Sequence, residues 1–294
     1  MKYILITLLL FYPIFSNAQT KWKKPDVKET EFTLFKSIQA LNHHTAEVVP
    51  AGDIYYGISH RFIGTIDDGF ETFFGMDGGA IMRTKLGYGI TDNFMATIGR
   101  ASRASVGNAR RIYDLELKYK LWSTKDFVIP IIISAQGIVS YTDEISTPLN
   151  APDNFEIEFA DQMQYIGQLM INTMLFDRIG IGFNPTYLYN SYCACIDETK
   201  SSFTLGSYLQ FYFGDDMTSI VLESNNTLSG FRGDGINEYY DSYNIGVELE
   251  TGGHFFKLLV GNNTNINLSQ YIVGSTVPFS LNNLHLGFQI TRNF

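Results

Sequence analysis

The last eleven residues, Leu284 to Phe294, place Leu284, Leu286, Phe288 and Ile290 on one parity, and the chain stops on the aromatic Phe294. A period of two marks a strand with two unlike faces. A chain that closes inside such a strand is expected to end as the last strand of a transmembrane barrel. Phe294 is then the signal that the barrel-assembly machinery reads.

The opposite end reads as an export signal. Lys2 is a charged start, Ile4 to Phe15 is apolar apart from Thr7 and Pro13, and Ser16-Asn17-Ala18 offers small residues to a signal peptidase. Residues 1–18 are therefore expected to be a signal peptide, 19–51 a periplasmic N-terminal segment and 52–294 the barrel. Within 19–51, Lys21, Lys23, Lys24 and Lys28 with Pro25 suggest a mobile start, and 32–49 is open between strand, helix and partial plug. Beyond the signal no apolar run reaches the length of a membrane helix. The chain carries 21 basic and 30 acidic side chains, and its net charge of −9 argues against nucleic acid as a partner. Aromatics make up 15% and charged residues only 17%, which suits a wall set in lipid.

A barrel strand needs roughly 9–11 residues to cross the hydrocarbon at a tilt. Segments of about that length fall at 52–62, 80–90, 93–101, 110–122, 126–141, 161–176, 178–190, 201–213, 217–226, 241–250, 254–261 and 283–294. The connections between them alternate in length. Thr91 to Asn93, Ser123 to Lys125, Asp177-Arg178, Gly214 to Asp216 and Thr251 to Gly253 are short and have turn chemistry. Those between, such as 63–79, 142–160 and 262–282, are long. Outer-membrane barrels show that asymmetry, with short periplasmic turns and long external loops. The fold expected is all-β: a closed antiparallel transmembrane β-barrel of about 12 strands in the outer membrane of a Gram-negative bacterium, both termini periplasmic.

Parity assigns the faces. Tyr113, Leu115, Leu117 and Tyr119 alternate with Asp114, Glu116, Lys118 and Lys120, and Ile245, Val247 and Leu249 alternate with Glu248 and Glu250. A cationic side chain in the middle of a lipid-facing wall costs about 2–4 kcal/mol, so the polar sets should line the lumen. The lumen candidates are Arg61, Asp114, Glu116, Lys118, Lys120, Glu248, Glu250 and Lys257. Strand five breaks the pattern: Val128 to Ile133 is apolar throughout and includes Pro130, which predicts a bulge or local lumen packing. Tyr88, Phe94, Trp122, Phe127, Phe176, Phe213, Phe255 and Phe256 flank the short turns, as an interfacial girdle would.

Residues 45–122 resemble a family of outer-membrane β-barrels of unassigned activity. Thr45 to Val48, His60-Arg61-Phe62, Phe73 to Asp77, Tyr88 to Asp92 and Lys118-Tyr119-Lys120 carry the resemblance, and Ile63 departs from it where glycine is expected. The resemblance implies a barrel and an outer-membrane address. It implies no catalytic residues.

Other groups weigh less. Cys193 and Cys195, in Cys-Ala-Cys, are disulfide candidates in an oxidising compartment, although one intervening residue strains the ring. Free or intermolecular thiols and metal or redox work stay open. His43-His44 resembles a metal pair, but neighbours on an extended chain diverge, and a solvated segment is expected. Ser59 and His60 evoke a hydrolase pair, but they share no face, and no Gly-x-Ser-x-Gly elbow is present. No cofactor or metal is expected. The expected function is a narrow or occluded pore for small solutes. An interaction barrel whose external loops bind a protein partner is the alternative, and a lipid hydrolase ranks below both.

Overall fold

The computed structural model describes residues 32–102, 111–124, 129–143, 156–191, 200–214, 217–233 and 238–294. Residues 1–18, assigned above to a signal peptide, and both cysteines lie outside the described residues.

Among the described residues, twelve strands follow one another: β1 (Ile54–Thr65), β2 (Ala80–Thr91), β3 (Phe94–Ser102), β4 (Arg111–Thr124), β5 (Ile131–Asp143), β6 (Met163–Leu175), β7 (Ile179–Tyr189), β8 (Ser201–Phe213), β9 (Thr218–Gly230), β10 (Ser242–Thr251), β11 (His254–Gly261) and β12 (His285–Asn293). Each pairs with its sequence neighbours, and β1 pairs antiparallel with β12, so the sheet closes. Closure removes the unpaired edges that hydrocarbon does not tolerate. Phe294 takes part in it. Its N–H donates to Ile54 O (2.9 Å) and its carbonyl accepts from Ile54 N (3.2 Å).

The strand ends sort the connections into short ones at one end of the barrel and long ones at the other. Ile54 and Phe294 lie at the short-turn end. The faces are inverted relative to a water-soluble fold. Leu115, Leu117, Leu209, Leu222, Ile245 and Leu258 are exposed outside, while the alternate positions are buried inside. So much contiguous apolar surface is stable only against lipid.

Of two local expectations, one holds in the form of lumen packing, with Ile132 of β5 in a buried cluster with Leu34, Phe35 and Leu41, and one changes. β5 starts at Ile131, and Pro130 stands before it with its carbonyl accepting from the Thr173 hydroxyl (2.7 Å). The irregularity falls on the partner strand instead, where the β4–β5 register shifts between Lys120 and Trp122 opposite Ile133. Phe255, by contrast, is not a girdle residue. It is buried inside the barrel, while Phe256 on the other parity faces out.

Candidate functional site

The lumen is not empty. Two pieces of chain enter it from opposite ends. Residues 34–49, ahead of β1, are buried in the half nearer the short turns, apart from Lys36, which is exposed. Residues 262–275, from the connection between β11 and β12, fill the half nearer the long loops and include one helical turn at Leu268–Tyr271. Of the three forms left open for 32–49, strand, helix and partial plug, residues 34–49 take the plug. The sequence leaves this undecided because the plug has no periodic face. It is surrounded by wall on all sides, so each residue is selected against a different neighbour.

The wall grips the plug by its backbone. Lys118 Nζ donates to the carbonyls of Ile38 (3.3 Å), Thr45 (3.1 Å) and Glu47 (2.9 Å). Lys257 Nζ donates to the carbonyls of Gln39 and Ala40 (2.6 Å for Ala40) and pairs with Glu248 at 2.7 Å. Glu223 on β9 does the converse. Its carboxylate accepts from the backbone N–H groups of Leu41 (3.0 Å), Asn42 (2.8 Å) and His43 (3.0 Å) and from Asn42 Nδ2 (2.8 Å). Charged groups buried in this way persist because backbone dipoles of the opposite sense neutralise them.

Glu223 also receives the Tyr271 hydroxyl (3.0 Å), so one carboxylate joins the two inserts. The His43 ring stands edge-on to the Tyr271 ring at 5.3 Å and lies against Gly206. A Cβ at Gly206 would come within 2.2 Å of that ring, so only glycine leaves room for it. Gly89 does the same where the chain leaves the plug, since a Cβ there would meet the Pro50 carbonyl at 1.9 Å.

A second polar cluster faces the plug from β2, β4 and β5. Arg83 bridges Asp114 and Glu116 at 2.6 Å each, and Lys85 reaches Glu116 at 3.0 Å. Lys85 Nζ lies 2.9 Å from His44 Nε2, and His44 Nδ1 lies 2.6 Å from Gln136 Oε1. With an ammonium donating to Nε2, the proton of the neutral ring sits on Nδ1 and is donated to Gln136. Gln136 in turn donates to Glu116 (3.2 Å), which closes a ring of four side chains. The long-loop insert joins this cluster through Asn267, whose amide reaches Asp114 at 2.5 Å. Outside the wall-spanning strands, Asp241 accepts from Asn226, the Thr227 N–H and Arg232. Burial would raise its carboxyl pKa, but those donors outweigh burial and hold it below the ordinary value.

Of the residues named from sequence, Arg61, Asp114, Glu116, Lys118, Lys120, Glu248 and Lys257 are buried inside the barrel, and Glu250 at the short-turn end pairs with Lys36 at 3.1 Å. The structure brings Asp114 and Glu116 together, and Glu248 with Lys257. It separates Lys118 from those carboxylates and spends it on the plug. Arg61 Nη2 donates to Asn42 Oδ1 (2.8 Å). Cys193 and Cys195 lie outside the described residues. His43 and His44 are not solvated, as expected from sequence, but fully enclosed, because the plug carries them inside. Ser59 is buried and faces in, whereas the His60 ring stacks on Phe288 outside at 5.1 Å. Among the described residues, no group of three or more His, Cys, Asp or Glu is placed to hold a metal ion. Arg83, Lys85 and Glu223 escaped the sequence reading. Parity would have found them, since Ile81, Arg83 and Lys85 alternate with Met82, Thr84 and Leu86, and Glu223 stands between Leu222 and Ser224.

The model of a family described as membrane bound beta barrel domain (DUF5777) matches residues 35–294, plug included. No curated protein matches the chain. Among solved structures it is similar to an outer membrane channel from Pseudomonas putida F1, with 13% identity, a TM-score of 0.48, and 85% of this chain and 98% of that one covered. It is similar to the KdgM porin at 10% identity and a TM-score of 0.46, covering 82% and 98%. It is also similar to an active-site mutant of outer membrane phospholipase A from Escherichia coli at 11% identity and a TM-score of 0.43, covering 83% and 91%.

Proposed function

This chain belongs to the family of membrane bound beta barrel domains, and from that premise we propose that it is an outer-membrane barrel whose lumen is an occluded route for small solutes. In this reading both termini lie in the periplasm and the long loops face outward. The observation that carries it is the way the lumen is filled. The plug is attached by wall side chains that bond its backbone and its polar side chains, and among the described residues the one β-bridge within 34–49 joins Gln39 and His44 to each other. A segment held by side chains rather than by a strand ladder leaves as a unit when its polar clamps release, and it leaves the twelve-stranded wall intact. About eight strands enclose space that side chains alone fill, and about 16–18 leave an aqueous channel. Twelve strands leave a bore that needs an insert to close it.

Planar-bilayer conductance tests this. The purified wild-type chain is expected to show small, infrequent openings. Removing 34–49, or shortening 262–275, each opens one half, and removing both is expected to give a steady conductance well above either alone. Large ohmic conductance from the wild type would overturn occlusion. A folded double deletion that conducts nothing would overturn the solute route. The reading would then move to a barrel that binds a partner through its loops, where Phe70 is 77% exposed beside Phe73 and Phe74.

A further inference from the structure

Strand register sets outward side chains in level rows. Ile181, Leu209, Leu222, Ile245 and Val260 form one row across β7 to β11. The next row toward the long loops reads Phe183, Ser207, Ser224 and Tyr243. Two small side chains therefore sit side by side between two rings, an arrangement of small outward neighbours that the wall repeats at Gly137 and Gly167, there without an overhanging loop segment among the described residues. Their hydroxyls pair with each other at 3.0 Å, so the floor meets its own hydrogen-bonding need, as a surface in hydrocarbon must. The chain leading to β12 folds over this part of the wall. Phe279 stands edge-on to the Tyr243 ring at 5.4 Å, and Leu284 borders the gap. Together they bound an apolar recess of about 630 Å³ that opens outward.

We propose that this recess is a binding groove for one acyl chain of a membrane phospholipid. The occupant follows from position. Ser207 and Ser224 lie at the midpoints of β8 and β9, so the recess opens at the depth of lipid tails. Its lining is apolar, and its serines are already paired, so it selects an alkyl chain over a polar solute. The overhang that closes its upper side belongs to the same connection whose 262–275 stretch fills the lumen. An acyl chain seated there packs against Phe279 and Leu284 and holds the outer part of that connection to the wall.

The test uses the full chain in proteoliposomes with phosphatidylethanolamine carrying a diazirine at mid-acyl chain, with cross-linked residues mapped by mass spectrometry. Cross-links to β8, β9 and Phe279 are expected to exceed those to the outer face of β4, at Leu115 and Leu117, by about tenfold, the ratio set by about 1.4 kcal/mol of preference. Ser207→Leu with Ser224→Leu fills the recess and should bring β8 and β9 down to the β4 level. Phe279→Ala, away from the wall itself, should lower labelling without touching the floor. Heat-modifiable migration confirms that each variant is folded. Even labelling around the wild-type wall, or labelling that persists undiminished in the filled variant, overturns the groove and leaves an unselective lipid annulus. Conductance enters none of these readouts, so the groove stands or falls apart from the solute route.

Discussion

Glu223 concentrates the energetics of the lumen in one side chain. Its two oxygens accept from three consecutive backbone N–H groups of the plug and from Tyr271 of the other insert. A hydrogen bond to a buried charged group is worth about 1.5–3 kcal/mol, and leaving its donors unmet costs a comparable amount. Glu223→Gln keeps the volume but turns an amide donor toward those N–H groups. Amide hydrogen exchange at 39–45 is expected to rise at least about tenfold, the change produced by about 1.4 kcal/mol, with strand amides unchanged. Equal exchange in both proteins would mean that the plug is held elsewhere. The inward direction of Glu223 can be read from Ile220 and Leu222, which hold the opposite parity of β9. Its partners cannot, because they lie about 180 residues away and the plug carries no pattern that names a wall.

At the level of elements, strands and inserts differ in how openly the sequence states them. Each strand meets lipid on one face and the lumen on the other, so its code repeats every second residue and survives in isolation. The expected spans lie within a few residues of the observed ones through β12. The clearest miss, the start of β5, occurs where apolar residues occupy both parities: Ile132 is fully buried inside while Ile129 is exposed. The plug and the 262–275 insert lack a free face altogether. β12 also carries a prediction. Because Phe294 exchanges both backbone bonds with Ile54, and the Arg292 guanidinium lies 4.4 Å over its ring, deleting Asn293-Phe294 shortens the closing seam. Membrane-inserted, heat-modifiable protein is expected to fall, with the chain accumulating in the periplasm or as fragments. Normal insertion of the deletion would show that the seam closes without its terminal aromatic.

For the whole molecule, the even strand number puts both barrel ends on the short-turn side, and sidedness in the membrane can be read by labelling. With Cys193 and Cys195 replaced by serine, cysteines at Glu71 or Arg232 on long loops are expected to react with an impermeant maleimide on intact cells. Cysteines at Asp92 or Gly252 on short turns are expected to react only after lysis. Equal reactivity of both sets would abolish this topology, and labelling of the short-turn set alone on intact cells would invert it. The amino-acid sequence by itself determined the barrel, its strand number, the inward and outward parity and the sorting of loops by length. All of these follow from local rules, since a residue's face depends only on its position along its own strand. Only the tertiary structure decided that Lys118 serves the plug rather than a carboxylate, that His43 and His44 are enclosed, and that Ser207 and Ser224 meet on one level. Those outcomes depend on which distant segments share a space, and that is settled by ring closure and by the volume left inside it.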